Sequence, residues 1–200
     1  MEEFYRKKKV GDKLKFAFLT VIILFSFAML MAFIAILLMN VDTKKFYEEA
    51  YTSSVTQMEI RKDVQLTSKN ILWALTVDNS SAAQSYLSAA DQASQKVASN
   101  VEALKSSFSD KAAVDDLQQA VNDMETVRAQ LMELAQQGEK AKALVIFNGD
   151  YNNATVSVQN KLVNIGDVAT QEATSQYSAA RRTGISSIIL MIVLAAFSVV

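Results

Sequence analysis

The chain has 200 residues, a formal net charge of −1 and 50% hydrophobic residues, and it contains no cysteine, no histidine and no proline. Without cysteine or histidine it cannot form disulfides, a Ser-His-Asp or Cys-His catalytic arrangement, or a zinc centre with sulfur or imidazole ligands. Its five glycines form no phosphate-binding loop. We therefore expect no catalytic residues, no bound metal and no cofactor.

The N-terminal residues 1–15 carry six basic and three acidic side chains, the basic ones being Arg6, Lys7, Lys8, Lys9, Lys13 and Lys15. Basic residues next to an apolar run are typical of the cytoplasmic side of a membrane. We expect residues 1–15 to be cytoplasmic and to contact the lipid bilayer. Residues 41–184 are acidic overall, so the charge pattern does not indicate a nucleic-acid partner.

Residues 16–39 form an uncharged apolar run of 24 residues. As a helix this run is about 36 Å long at ~1.5 Å per residue, enough to cross a hydrocarbon core of ~30 Å. A cleaved signal peptide is the alternative, but its apolar part usually has ~7–15 residues followed by small residues at the cleavage site. Met39-Asn40-Val41 offers no such site, which favours a first transmembrane helix.

A second apolar run, residues 184–200, predicts a second transmembrane helix that the end of the sequence truncates. Residues 40–183 are then an extracytoplasmic domain of a two-span protein with a cytoplasmic N-terminus. Arg181 and Arg182 fall on the outer side, against the usual charge bias, but within reach of the interface by snorkelling.

Four stretches between the apolar runs have apolar or small residues at alternating spacings of three and four, which is typical of packed helices. The first predicted seam is Phe46, Ala50, Ser53, Gln57, Ile60, Val64, Thr67, Ile71 and Ala74. The second is Ala83, Leu87, Ala90, Ser94, Val97, Val101, Leu104 and Phe108. The third is Val114, Leu117, Val121, Met124, Val127, Leu131 and Leu134. The fourth is Leu144, Phe147, Tyr151, Ala154, Val158, Leu162, Ile165 and Ala169, continuing toward Tyr177.

Turn and capping residues separate these stretches. Residues 78–81 (Asp-Asn-Ser-Ser) and 109–110 (Ser-Asp) favour helix N-termini, and Gly138 suits a helix C-terminus. Residues 148–150 (Asn-Gly-Asp) predict a local bend or a loose first turn in the last helix. The sequence predicts an all-α fold: an antiparallel up-down-up-down four-helix bundle flanked by two transmembrane helices.

The segments FYEEAYTSSVTQMEIRKDVQLTSKNILWAL (46–75) and LAQQGEKAKALVIFNGDYNNA (134–154), together with the two apolar runs, carry a resemblance to a known family. The chain resembles the four-helix-bundle sensor region of bacterial methyl-accepting chemotaxis proteins, with both of its transmembrane helices. The resemblance implies a homodimeric receptor in the bacterial cytoplasmic membrane. It also implies a HAMP relay and a signalling hairpin after residue 200 that act on a kinase and a coupling protein.

Two alternatives to a chemoreceptor follow from the same residues. The same sensor module occurs on histidine kinases and diguanylate cyclases, in which case catalysis would lie after residue 200. A structural membrane protein with no output is the other alternative, and the short second apolar run without a basic flank argues against it.

The expected partner on the outer side is a small-molecule ligand or a ligand-loaded binding protein. Arg61 and Lys62 lie beside the first seam, where their charges are suited to a carboxylate ligand between subunits. The resemblance to aspartate-type receptors implies polar partners on the fourth helix, and Asn152, Asn153 and Thr155 are the candidates. The alternative is a solvated face, because Glu59 and Asp63 flank the two basic residues in sequence.

Overall fold

The computed structural model of the protein describes residues 10–199, and every described element is helical. The elements are α1 (Val10–Lys45), a first π-helical segment (Phe46–Tyr51), α2 (Thr52–Thr76), α3 (Ser80–Ser107), α4 (Lys111–Gln136), α5 (Lys140–Ile146), a second π-helical segment (Phe147–Tyr151) and α6 (Asn152–Val199). Arg6, Lys7, Lys8 and Lys9 of the predicted basic flank lie outside the described residues.

The chain divides into two compact units, of which the first comprises Met1–Lys45 with Ser175–Val200. Its α1 exposes large apolar side chains such as Phe18, Ile22 and Phe25. Among the described residues one helical stretch, Val10–Thr76, is long and apolar enough to cross a membrane, and its most apolar window has a mean hydropathy of 3.0. The end of α6 is helical through residue 199, and its crossing of a membrane stays a prediction.

The second unit, Phe46–Thr174, is the four-helix bundle that the sequence predicts. Its first helix is α2 with the preceding π-helical segment, its second and third are α3 and α4, and its fourth runs from α5 through the second π-helical segment into α6. Three short connections join these four helices. The all-α prediction for this part of the chain is confirmed.

The connections use the residues expected from the sequence. Asn79 caps α3 because its side-chain oxygen accepts a hydrogen bond from the Ala82 backbone N–H at 2.9 Å. Asp110 caps α4 in the same way through the Ala113 N–H at 3.0 Å. Gly138 follows α4 with a φ of +77°, which a residue without a Cβ adopts at little cost. Local capping chemistry therefore fixes where the helices begin and end.

The bundle core consists mainly of the four predicted seams. In the first seam every residue except the half-buried Phe46 is buried, and in the second every residue except Ala83. The seams of α4 and of the fourth helix include half-buried members, and the fourth ends at Ala169, since Tyr177 is 68% exposed. Large fully buried side chains from all four helices meet here: Ile60, Ile71, Leu104, Leu117, Met124, Leu131, Tyr151, Leu162 and Ile165.

The core also contains polar groups on α2, where the sequence predicts small and polar seam residues. Ser53 and Gln57 are buried, and the Ser53 hydroxyl and the Gln57 carbonyl oxygen have no hydrogen-bond partner among the described residues. Gly166 of α6 faces this region, because a Cβ built there would lie 3.2 Å from the Gln57 side-chain nitrogen. This contact places α2 against α6.

Of the two π-helical segments, only the first departs from the sequence prediction. The first interrupts what the sequence predicts as a regular α-helical rod, and the second lies where residues 148–150 predict a bend or loose turn. Asn148, Gly149 and Asp150 are weak helix formers, but no proline prevents the helix from continuing. The helix therefore continues through these residues with a widened π-helical turn. Such turns are often found at functional sites.

Candidate functional site

A cleft of about 390 Å³ lies between α2 and the start of α6. Its lining residues come from α2, from the second π-helical segment and from the first two turns of α6: Gln65, Ser68, Phe147, Tyr151, Asn152, Thr155 and Gln159. We call this site the α2–α6 cleft. Its volume lies in the usual range for small-molecule sites.

The π-helical segment supplies the aromatic wall of the cleft. The rings of Phe147 and Tyr151 are stacked, with centroids 5.5 Å apart and planes inclined by 27°. Tyr151 is buried, and its hydroxyl lies 3.3 Å from the Ser68 hydroxyl of α2. This hydrogen bond joins the first and fourth helices of the bundle at the cleft.

The Tyr151 phenol is held in its neutral form. Burial raises the pKa of Tyr151 above its usual range, and the negative charge of Glu125 acts in the same direction, although the hydrogen bond with Ser68 opposes them. Tyr151 therefore acts as a hydrogen-bonding group and not as an acid at neutral pH.

Thr155 contributes a second hydroxyl to the cleft, beside the Tyr151 phenol. Its Oγ1 is buried near the Tyr151 phenol, yet it makes no hydrogen bond of good geometry among the described residues. Gln65, Asn152 and Gln159 add amide groups that both donate and accept. The cleft can thus offer several hydrogen bonds beside an aromatic face.

Arg61 and Lys62, the basic candidates, point to different sides of α2. Arg61 is half-buried and precedes the cleft residues Gln65 and Ser68 by four and seven positions, which places the three on one flank of the helix. Its Nε is buried and has no hydrogen-bond partner among the described residues. Lys62 is exposed and lies 3.7 Å from the buried carboxylate of Asp63. Neither basic residue lines the cleft, and their contact with a ligand stays a prediction.

The three candidate residues from the fourth helix also differ in whether they line the cleft. Asn152 and Thr155 line the cleft, whereas Asn153, which is exposed like Asn152, does not belong to its lining. The sequence reasoning did not identify Gln65, Ser68 or Gln159 as site residues. A signal was available for two of them, since Gln65 and Ser68 follow Arg61 on the same helical flank.

A network of charged residues lies behind the aromatic wall. Arg128 of α4 donates hydrogen bonds to Asp91 at 2.6 Å and to Glu125 at 2.7 Å. Burial alone would lower the pKa of Arg128, because it disfavours the charged form. The hydrogen bonds with Glu125 and Asp91 have the larger combined effect, so the pKa of Arg128 is raised. Ser94 of α3 donates a hydrogen bond to the other oxygen of Glu125. Arg128 is thus the bundle ion-pair residue that its position beside the third seam indicates.

The fold is an antiparallel four-helix bundle with a hydrogen-bonding cleft between its first and last helices, an architecture compatible with a helical sensory module. The family model described as "Four helix bundle sensory module for signal transduction" matches residues 7–183. The chain therefore belongs to this family, the four-helix-bundle sensory module of methyl-accepting chemotaxis proteins. No curated protein and no solved structure gives a significant match. Membership of this family implies a membrane receptor.

Proposed function

We propose that this chain is the ligand-sensing part of a transmembrane chemoreceptor and that it has no catalytic activity of its own. The observation that carries the proposal is the α2–α6 cleft, which combines an aromatic wall with unpaired hydrogen-bonding capacity. The first and fourth helices of the bundle both contribute to it. A ligand there would contact the two helices that adjoin the apolar ends of the chain.

The fourth helix is the proposed route for the signal. α6 is one continuous helix from Asn152 in the cleft to Val199 in the second apolar run. A ligand that binds one packing of α2 and α6 more tightly than another shifts the populations of the two packings. A small slide or rotation of α6 would then reach the second transmembrane segment.

The proposed location is the bacterial cytoplasmic membrane, crossed twice, with residues 40–183 on the outer side. The apolar surface of α1 and the basic residues before it support this orientation. The partner on the inner side is a kinase with its coupling protein, reached through further domains. The alternative is a sensor for a histidine kinase or a diguanylate cyclase, since such modules occur with several outputs.

A second copy of the chain is the proposed partner along α2. The side of the first bundle helix opposite its core seam exposes large apolar side chains, namely Tyr51 at the end of the first π-helical segment and Val55, Met58, Leu66 and Trp73 of α2. Their successive spacings of four, three, eight and seven residues place them in one stripe, as in a helical dimer seam. We call this stripe the outer α2 face. Lys62 lies within it, so the two copies would also bring two lysines together.

The proposal is tested by a thermal-shift screen of the 200-residue chain in detergent micelles against amino acids, organic acids and neutral metabolites. A ligand present at 100 times its Kd stabilises the folded state by about 2.7 kcal/mol, which gives a clear rise in Tm. We expect at least one compound to raise Tm. A well-folded chain that responds to no compound would contradict direct sensing and would favour a ligand-loaded binding protein as the partner.

A further inference from the structure

We propose that the α2–α6 cleft binds a small neutral ring compound whose edge carries hydrogen-bond donors and acceptors, and that it does so within a single copy of the chain. The inference rests on the sensory function proposed above and adds the chemical class of the ligand and its location. It differs from the carboxylate ligand that Arg61 and Lys62 suggest.

The absence of charge in the lining selects a neutral ligand. All seven lining residues are uncharged, and all of them except Phe147 carry an amide or hydroxyl group. An ion that entered the cleft would lose hydrating water without meeting an opposite charge, which is unfavourable. A neutral molecule with its own donors and acceptors exchanges water for protein hydrogen bonds at little cost.

The aromatic wall selects a ring. Phe147 is half-buried, and its ring is stacked on that of the fully buried Tyr151 with the two planes inclined by 27°. A flat ligand ring can stack on the accessible side of Phe147, while its edge reaches the polar groups of α2 and α6. An aliphatic chain would leave the directional amide and hydroxyl groups of the cleft unpaired.

A ligand in the cleft would supply a hydrogen-bond partner for the Thr155 hydroxyl. This buried hydroxyl interacts with the Tyr151 phenol but makes no hydrogen bond of good geometry among the described residues, and an incompletely paired buried polar group is unfavourable. A ligand atom that pairs with Oγ1 removes this penalty only in the bound state. Thr155 is therefore better suited to binding than to holding the free bundle together.

The charged groups that act on Tyr151 do not change the preference of the cleft for a neutral ligand. Glu125 and Arg128 influence Tyr151 from behind the wall, but Arg128 is paired with both Glu125 and Asp91. Arg61 lies one helical turn from Gln65 and outside the lining. An anion held by Arg61 is consequently the competing outcome, and the experiment must separate it from a neutral ring.

The test measures Kd by calorimetry for the 200-residue chain in micelles, with adenine, uracil and nicotinamide as neutral ring probes. Aspartate and benzoate are the anionic probes. We expect at least one neutral ring to bind and the anions to bind more weakly or not at all. Binding of an anion that is lost in Arg61→Ala, with no neutral ring bound, would overturn the inference and leave the sensory function intact.

Thr155→Val locates the bound ring. The substitution removes one hydroxyl and keeps the shape, so we expect Kd to rise about three- to tenfold while Tm of the free chain stays the same or rises. Thr126→Val is the matched control, because Thr126 is exposed on α4 and its hydroxyl donates to the Asn122 carbonyl. A Kd unchanged in Thr155→Val would place the ring elsewhere and overturn the inference.

Two neighbouring asparagines give a second matched pair. Both residues are exposed, but Asn152→Ala removes an amide from the cleft lining, whereas Asn153→Ala removes an amide outside it. We expect only Asn152→Ala to weaken binding of the neutral ring. Equal effects of the two substitutions, or an effect of Asn153→Ala alone, would contradict the proposed location. In either case the binding itself would still support a sensor.

Discussion

Gln57 of α2 and Gly166 of α6 fit together so closely that a Cβ at position 166 would lie 3.2 Å from the Gln57 side-chain nitrogen. Both residues belong to the contact between the first and fourth helices of the bundle. Alanine is favoured over glycine in a helix by about 1 kcal/mol. Glycine at position 166 is therefore less favourable for the helix than alanine would be, but it makes room for the Gln57 amide.

A double-mutant cycle tests this relationship. We expect Gly166→Ala to stabilise the chain by about 1 kcal/mol in a Gln57→Ala background, because the clash is absent there. In the native background the gain should be smaller or reversed, since the Gln57 side chain must move. Urea unfolding of the four variants measures the coupling free energy. Equal effects in both backgrounds would show that the two side chains do not constrain each other.

The ion-pair network of Arg128 should matter more than an exposed ion pair. Arg128→Met leaves Glu125 and Asp91 without their cation, and since the Arg128 side chain is only 15% exposed, we expect a loss of about 2 kcal/mol. Lys161→Met is the matched control, because the exposed Lys161 pairs with Asp116 at 2.6 Å and should cost less than about 1 kcal/mol.

Denaturant unfolding of both variants at neutral pH measures the difference. A similar small loss in the two variants would mean that the Arg128 network is no more stabilising than a surface pair.

The raised pKa of Tyr151 predicts a stability that falls at alkaline pH. Above about pH 10 the phenol ionises in the unfolded chain but stays protonated in the bundle, so the unfolded state binds fewer protons and gains stability relative to the fold. Below about pH 10 both states are neutral and this contribution is constant. Tyr151→Phe should make the decline between pH 10 and 12 shallower.

Tyr177→Phe is the control for this pH series, because Tyr177 is 68% exposed. The midpoint of urea unfolding, recorded for each chain from pH 8 to 12, gives the slopes. Parallel slopes for the native chain and Tyr151→Phe would contradict the assignment of the alkaline effect to Tyr151.

The outer α2 face should bring two copies of the chain together. Since the chain contains no cysteine, single cysteines report contacts without background. We expect Met58→Cys, at a 61% exposed position of this face, to form disulfide-linked dimers under mild oxidation in membranes. Lys142→Cys, at an exposed position of α5, should remain monomeric. The reverse pattern would place the contact between copies on another surface.

Much of this fold could be read from periodicity, and particular residues show why. Ile60, Val64 and Ile71 repeat at helical spacings that leave only one face for a core, and Asn79 and Gly138 mark helix ends through local chemistry. These signals act over a few residues. The helix count and the core therefore followed from the sequence.

The cleft could not be predicted in the same way, because it depends on how α2 and α6 are aligned. Ser68 meets Tyr151 across 83 positions of sequence, and no local pattern sets that alignment. The π-helical turn at Phe147–Tyr151 likewise depends on packing around weak helix formers. Arg61 and Lys62 are neighbours in sequence, yet successive residues on a helix lie about 100° apart, so they face different sides of α2.

The central claim is that binding in the α2–α6 cleft is communicated along α6. The most direct measurement is amide hydrogen exchange of the 200-residue chain in lipid nanodiscs, with and without the compound that raises Tm most in the screen. We predict slower exchange at residues 147–159 and a change in exchange at residues 166–183 of the same helix. A ligand that protects the cleft residues and leaves residues 166–183 unchanged would contradict the claim.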